Sequence, residues 1–439
     1  MKVTVIGTGY VGLPTGVGLA ELGNDVICLD VDERKINTLK EGKLTIFEDG
    51  LEPLFNKHIA SGKVKFSTSF SESIPDADLV ILAVGTPPHP ITKEADMRYI
   101  KAAAEELAKY LSQYTVVAIK STVPVNTGDM VESLIRKTNP TADYDVVSLP
   151  EFLREGFAVQ DFFNPDRIVV GANSERARNL IAELYVPFKD KCPILYVSRQ
   201  SSETIKYASN AFLAMKIQYI NEMADFCETS GADVYEVARG MGMDTRIGEK
   251  FLVPGPGYGG FCFPKDTNAM AYMGKFNGID LSLIEATIKG NERRKINMAK
   301  RILDMVSDVK NPIVAVLGSA FKGGTDDCRE SPALQIIEIM LAHDVNIKLY
   351  DPEAMENTKA ILGDMITYCD SAYEAISGAD VLAVLTDWAE FKLLDLEKIK
   401  VLMVRPQIAD YRNNFDFQKA KDLGFEIKSL GRKAWNFNI

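Results

Sequence analysis

The strongest constraint on this chain lies in its first thirty residues. Residues 2–6, KVTVI, form an apolar run of strand length, and Gly7-Thr8-Gly9-Tyr10-Val11-Gly12 follows directly with three glycines in the pattern G-x-G-x-x-G. LPTGVGLAELG then reads as a helix ending at Gly23, and a second apolar run, DVICLD, stops at Asp30. Strand, glycine turn, helix and a strand ending on an acid make up the local signature of a dinucleotide-binding unit. Gly7 permits the tight turn. Gly9 lets a pyrophosphate reach the main chain, and Gly12 lets the helix pack closely with its N-terminus toward the phosphates. A carboxylate at Asp30 accepts hydrogen bonds from ribose hydroxyls and repels a 2'-phosphate, so NAD is expected over NADP.

The alternation continues through DLVILAV (78–84), a helical AAAEELAKYL and YTVVAIKS (114–121), as a doubly wound parallel sheet requires. From about residue 201 the period changes. Ile205, Ala208, Phe212, Met215, Tyr219, Met223 and Phe226 recur at helical spacing up to Gly231. They predict a helix over 202–230, about 43 Å long at about 1.5 Å per residue. A helix longer than a domain bridges domains or subunits, so this one is the expected linker and dimer surface. Residues 281–306 continue as helix. Alternation then restarts with IVAVLG (313–318), the loop AFKGGTDDCRES, the helix PALQIIEIMLAHD, the strand NIKLYDP and ADVLAVLT (379–386), repeating the order of the first half. The expected class is α/β, with two Rossmann-like doubly wound domains joined by a long central helix. The expected divisions are 1–200, 201–310 and 311–439.

Across 439 residues, 50 basic against 61 acidic side chains give a formal charge of -11, which opposes binding to nucleic acid or to an anionic membrane surface. Six cysteines form no C-x-x-C pair, and none of the three histidines stands at ligand spacing from another His or Cys, so neither a metal site nor a disulfide framework is expected. No apolar run approaches the ~18 residues of a membrane helix, and Met1-Lys2 leads straight into a strand. A reducing cytoplasm is the expected compartment.

The second glycine-rich stretch, PGPGYGGFCFPKD (254–266), delivers one cysteine, one lysine and one aspartate to a confined loop. Backbone N–H groups and Lys265 would favour a thiolate at Cys262, and the glycines let a ligand touch the main chain. The alternative is a cysteine that serves as a small buried hydrophobe. Lys206 and Asn210, at i and i+4, share a helix face offset from the apolar stripe, and that face either points into a site or is solvated. STVP (121–124) and PEFLREG (150–156) each follow a strand, where open α/β sheets place ligand groups. Thr122, Glu151 and Glu155 are therefore candidates, although either glutamate also suits a helix N-terminus. In the second half AFK (320–322), with Phe321 and Lys322, and Arg329 replace the glycine turn; the cations Lys322 and Arg329 suit a nucleotide diphosphate, although surface Lys and Arg are common.

Taken in order and spacing, GTGYVGLP, VGTP, STVP, PEFLREGFA, NPDRIVVG, ETIKYASNAFLAMKI, GYGGFCFPKD, LGSAFKGGTDDCRESPA and ADYRN resemble the UDP-glucose/GDP-mannose dehydrogenase family over essentially the whole chain. The resemblance implies an NAD-dependent four-electron oxidation of a nucleotide-sugar C6 alcohol to a carboxylate, through a thiohemiacetal and a thioester on Cys262. It implies that Lys206 and Asn210 stabilise the oxyanion, and that Glu151, Thr122 and Asp266 hold and activate the hydrolytic water. NAD would meet Gly7, Thr8, Gly9, Tyr10, Val11, Gly12, Asp30, Lys35, Thr86, Ser121, Thr122, Glu155, Lys265 and Arg329. The sugar nucleotide would meet Glu151, Phe152, Leu153, Arg154, Glu155, Lys206, Asn210, Arg246, Phe251, Gly257, Tyr258, Gly259, Phe321, Lys322 and Arg412. The PKD ending resembles the UDP-glucose and GDP-mannose branches and not those acting on N-acetylated sugars, and the PGPGYGG stretch looks more like the UDP-glucose branch, so UDP-glucose is expected with GDP-mannose as the alternative, and a homodimer through the 202–230 helix is expected. A non-catalytic NAD-binding regulator is a competing class, opposed by the presence of Cys262, Lys206, Asn210 and Asp266. A two-electron alcohol dehydrogenase with a merely structural Cys262 is another. The chain departs from the family at Phe261, where many members have Ser, and at Asn126, where Gly is usual.

Overall fold

The apolar runs of the sequence become the strands of two largely parallel sheets. The computed structural model describes residues 1–432. The chain divides into two units, Met1–Ser209 and Asn210–Ile439.

The first unit holds β1 (Lys2–Ile6), β2 (Asp25–Leu29), β3 (Val64–Ser67), β4 (Leu79–Leu82), β5 (Thr115–Ile119), β6 (Tyr144–Ser148), β7 (Ile168–Ala172) and β8 (Ile194–Val197). They form one sheet in the order β3-β2-β1-β4-β5-β6-β7-β8, with β6 and β7 paired antiparallel. Successive residues alternate between two apolar cores. Val3, Val5, Leu79 and Ile81 face one, while Ile6, Val80, Leu82 and Val117 face the other. A sheet covered on both faces needs central strands that are apolar at nearly every position, which is why β4, LVIL, shows no polar alternation.

The second unit repeats the plan with β9 (Ile313–Leu317), β10 (Asn346–Tyr350), β11 (Thr367–Tyr368), β12 (Val381–Val384), β13 (Gln407–Asp410) and β14 (Glu426–Ser429). Their order is β11-β10-β9-β12-β13-β14, all parallel. Both sheets thus carry the Rossmann-type order in which direction reverses beside the first strand, the point where such folds bind ligands. The long helix, Arg199–Ser230, links the two domains. Its sequence stripe does not face a core: Phe212, Tyr219 and Phe226 are 57%, 46% and 63% exposed. The buried positions mix polar and apolar side chains, among them Ser202, Lys206, Tyr207, Asn210, Ala214, Ile220, Asn221, Ala224 and Cys227. Lys206, Asn210 and Asn221 are buried alongside Tyr207 and Ile220, while the three aromatic residues of the stripe stay outside.

The loop after β5 explains one departure from the family. Asn126 caps the helix Thr127–Thr138 with φ 74, a left-handed conformation that favours Gly and that Asn tolerates better than other side chains. The buried Glu203 fixes this turn, accepting the N–H of Asn126 at 2.7 Å and of Gly128 at 2.8 Å. Burial pushes the Glu203 carboxyl up to about 7 despite those two donors.

Asn126→Gly should leave thermal stability nearly unchanged, whereas Asn126→Val should cost about 1 kcal/mol or more. Because the folded-state pKa of Glu203 lies above its ordinary 4.5, the stability this group contributes is complete below pH 4.5 and is lost as pH rises through about 7. Calorimetry should therefore show wild type losing ground to Glu203→Gln over that window. A pH-independent difference would contradict the assignment.

Candidate active site

The turn after β1 is built around its glycines. Gly7 has φ 101, donates its N–H to the Leu29 carbonyl at 2.7 Å, and has no room for a Cβ, which would lie 2.5 Å from the Ala83 carbonyl oxygen. A Cβ on Gly12 would collide with the Gly7 carbonyl, but one on Gly9 would meet no protein atom within 4 Å. The chain itself therefore demands Gly7 and Gly12, and Gly9 borders open space. Beside it begins the helix Gly12–Glu21, whose N-terminus no side chain caps. Asp30 Oδ2 accepts the Thr8 N–H at 2.9 Å and the Thr8 hydroxyl at 2.8 Å, and Oδ1 accepts the Asp32 N–H at 3.1 Å. Asp30 remains partly exposed, with acceptor capacity to spare. An uncapped helix N-terminus with a partly free acid beyond it fits the pyrophosphate and ribose of NAD.

The corresponding acid of the second sheet is Asp351, just after β10, and it is engaged differently. It is fully buried, and its two oxygens accept the N–H groups of Ser319, Ala320, Glu353 and Ala354 and the Trp388 indole N–H, all between 2.7 and 3.1 Å. A ribose hydroxyl finds no acceptor there.

Other candidates of the first unit lie where the sheet ends. Thr86 donates its hydroxyl to the Thr122 carbonyl at 2.9 Å and Ser121 to the Val84 carbonyl at 2.7 Å, tying together the loops after β4 and β5. Tyr10 and Val11 are half-buried in the glycine turn, and Lys35 is exposed on the helix Glu33–Lys40. In the loop after β6, Glu151 pairs with Lys206 at 3.0 Å, both buried, and its second oxygen accepts the Leu153 N–H at 2.6 Å. The Lys206 ammonium lies 5.3 Å from the centre of the Phe152 ring, on which Arg167 also stacks at 3.8 Å. Arg154 is bound to Asp161. Glu155 is half-buried. Lys120, the residue after β5, is 7% exposed. Burial, reinforced by the charge of Lys206, pulls its ammonium down to about 8 against the opposing pull of Glu151.

In the second unit the helix Cys262–Phe276 begins on the candidate nucleophile, so its first turn favours a thiolate. One turn along, the buried Asp266 accepts the Asn210 amide at 2.6 Å and also binds the Lys265 ammonium. Phe261 accounts for the other departure. Its ring lies 5.4 Å from the Lys265 ammonium and 4.3 Å from the Arg329 guanidinium, making a platform for two cations that serine does not offer. The preceding loop is clamped through its main chain. Gly255 donates to Asn221 at 2.8 Å and accepts from Arg294 at 2.6 Å, and Asn291 bonds both the N–H and the carbonyl of Tyr258. Gly257 backs onto Asn291, Gly259 onto the Glu330 carbonyl, and Gly260, at φ 78, onto the Phe321 ring. Phe251 and Tyr258 both pack against Phe263, with centroids 6.0 and 6.3 Å away. Arg412 donates to the Leu385 and Phe321 carbonyls at 2.8 and 3.0 Å, and Lys322 sits 5.5 Å over the Phe321 ring. Arg246 stands apart, exposed and paired with Asp244.

Lys120, Glu48, Asn221, Asn291 and Arg294 escaped the sequence reading. Lys120 did carry a signal, as a lone cation closing an apolar strand. Glu48 carried none, because the N–H groups it accepts, those of Gly156 and Ala158 at 2.9 and 3.1 Å, lie over 100 residues away.

Comparison with known proteins shows three consecutive matches to the UDP-glucose/GDP-mannose dehydrogenase family: its NAD binding domain at residues 1–189, its central domain at 200–293 and its UDP binding domain at 315–417. The chain is 46% identical over 436 residues to the UDP-glucose 6-dehydrogenase of Rhizobium meliloti, covering 98% of this chain and 100% of that one. It is 44% identical to the UDP-glucose 6-dehydrogenase TuaD of Bacillus subtilis, covering 99% and 94%. Among solved structures, a UDP-glucose dehydrogenase from the archaeon Pyrobaculum islandicum superposes with a TM-score of 0.90 at 34% identity, covering 99% and 98%.

Two alanine substitutions separate the roles of the glycines. Gly9→Ala should leave the melting temperature unchanged while weakening NAD binding about tenfold or more, a loss of about 1.4 kcal/mol read by titration calorimetry. Gly12→Ala should destabilise the fold itself by about 1–3 kcal/mol.

Proposed function

The chain belongs to the UDP-glucose/GDP-mannose dehydrogenase family, and from that premise we propose that its cysteine and its buried ion pairs together carry out the oxidation of UDP-glucose to UDP-glucuronate. NAD is the cofactor, and when bound it accepts the hydride in each of two oxidations. The observation that carries the reading is the presence, in one chain, of a glycine turn shaped for NAD and a cysteine at a helix N-terminus beside a buried Asn–Asp–Lys cluster.

The chain's own groups divide the work. The Cys262 thiolate adds to the C6 aldehyde, forming a C–S bond and a thiohemiacetal whose oxidation leaves a thioester. The Asn210 amide and Lys206 ammonium stabilise the oxyanion of each tetrahedral species. Glu151, aided by Thr122 and Asp266, positions the water and takes its proton as the new C–O bond displaces the thiolate and releases the carboxylate. Gly7 to Gly12 and Asp30 hold the cofactor, with Lys35, Thr86, Ser121, Glu155, Lys265 and Arg329 as further contacts. The 151–155 loop, Arg246, Phe251, Gly257 to Gly259, Phe321, Lys322 and Arg412 hold the sugar nucleotide. In this scheme residues 1–200 bind NAD, 201–310 form the central helical region and 311–439 bind the UDP moiety.

We also assign a homodimer through the helix Arg199–Ser230, supported by the exposed apolar side chains of Phe212, Tyr219 and Phe226, which a monomer leaves in water. Six cysteines with no disulfide among the described residues suit a reducing cytoplasm. No described helix is long and apolar enough to cross a membrane.

With limiting UDP-glucose, two NADH should form per sugar, and Cys262→Ser should fail to make the acid while still binding NAD. One NADH per sugar, or a Cys262→Ser variant that makes the full acid at the wild-type rate, overturns the thioester route. Turnover of GDP-mannose alone overturns the substrate. Sedimentation should give twice 48.5 kDa for wild type and 48.5 kDa for a Phe212→Glu, Phe226→Glu double variant.

A further inference from the structure

In the second unit three loops converge on one arginine. Arg412 follows β13, and its Nε donates to the carbonyl of Leu385, just after β12, at 2.8 Å, while Nη2 donates to that of Phe321, in the loop after β9, at 3.0 Å. β9 and β12 are the neighbours beside which the strand order reverses, and ligands of open α/β sheets bind at that edge. The remaining nitrogen, Nη1, faces Gly255. A Cβ on Gly255 would lie 3.1 Å from Nη1 and 3.6 Å from Cζ of Arg412, and apart from its chain neighbours it would meet no other described residue within 4 Å. The φ of Gly255 lies outside the left-handed region, so the backbone itself does not call for glycine there. Gly257 and Gly259 differ, because a Cβ on the first would strike Asn291 Oδ1 and one on the second the Glu330 carbonyl. Gly255 makes room for Arg412 alone.

The peptide beneath the guanidinium is fixed. Asn221 Oδ1 accepts the Gly255 N–H at 2.8 Å, and Arg294 Nε donates to the Gly255 carbonyl at 2.6 Å. Arg294 is 4% exposed and donates in turn to the Asn221 carbonyl and to Asp225, both at 3.1 Å. Arg412 is the freer partner, being half-buried and tied to two carbonyls, with Asp387 4.0 Å from Nη1. Added volume at position 255 therefore displaces the guanidinium by a few tenths of an ångström and leaves the clamped peptide in place.

We propose that Gly255 is a positioning residue for the nucleotide, forming with Asn221 and Arg294 the rigid seat that aims Arg412 at the diphosphate of the substrate. This rests on the reading above in which Arg412 holds the sugar nucleotide. A guanidinium recognises phosphate through paired N–H donors in one plane, so its orientation matters as much as its charge. Gly255 acts through Arg412, at the end of the substrate away from the reacting carbon. Binding of that kind is the same in the ground state and the transition state, so it sets KM and leaves kcat unaltered.

The test is a double-mutant cycle on the full chain, read by titration calorimetry with UDP and by steady-state kinetics with UDP-glucose. Gly255→Ala should weaken UDP binding about tenfold and raise KM for UDP-glucose by a like factor. Its kcat and its affinity for NAD should stay within about twofold of wild type. Arg412→Ala should weaken UDP binding at least as much. Adding Gly255→Ala to Arg412→Ala should change nothing further, because the group it displaces is gone. Should Gly255→Ala fail to fold, Arg294→Lys takes its place in the cycle, since it replaces the fixed donor to Gly255 with a mobile amine and should weaken UDP binding only where Arg412 is present. Equal losses with and without Arg412 overturn the proposal, and so does wild-type UDP binding in the seat variant. An Arg412→Ala variant that binds UDP like wild type gives a different signature, overturning the assignment of Arg412 to the nucleotide and the proposal with it.

Discussion

A carboxylate removed from water must be given cations or N–H donors, and each unit of this chain organises its reactive residues around that demand. In the first unit Glu151 is buried and draws Lys206 and the Leu153 N–H onto its two oxygens. In the second, Asp266 is buried and draws the Asn210 amide and the Lys265 ammonium. The partners of a buried acid are thereby fixed in direction as well as place, which is what a group that orients a water or an oxyanion requires. The cost is borne by the surrounding core, because two apolar faces on each sheet supply the burial that makes the pairing obligatory.

The same principle distinguishes the two Rossmann-like sheets. They share one strand order, and each carries an acid just beyond its second strand. Asp30 keeps acceptor capacity after binding Thr8 and the Asp32 N–H, and the glycine turn beside it leaves open space at Gly9. Asp351 has both oxygens filled by four backbone N–H groups and an indole. A repeated fold therefore need not repeat a function. The number of lone pairs left unsatisfied by the chain determines which of the two acids, Asp30 or Asp351, can accept a ribose hydroxyl.

Clamps on the main chain do for the cysteine loop what ion pairs do for the acids. A loop rich in glycine has little conformational preference of its own. Here Asn221, Asn291 and Arg294 remove that freedom by bonding the N–H and carbonyl groups of Gly255 and Tyr258. Phe261 extends the same theme, since its ring gathers Lys265 and Arg329 ahead of Cys262.

The sequence by itself determined the alternation of strand and helix, the glycine turn with its acid, the repeat of that plan and the long helix, because each rests on local periodicity or on a steric need that one short segment carries. It also singled out Cys262, Lys206, Asn210 and Glu151 as chemistry-bearing, through their resemblance to a family and their positions after strands or along one helix face. Only the tertiary structure decided which positions of the helix Arg199–Ser230 are packed, burying Lys206 and Asn210 beside Tyr207 and Ile220 and leaving Phe212, Tyr219 and Phe226 exposed. It alone revealed that Lys120 is buried at the end of β5, that Glu48 and Glu203 pin loops remote in sequence, and that Asp351 is spent. Burial and pairing depend on what the chain brings alongside a residue from 30 to 100 positions away, and no local pattern encodes that distance.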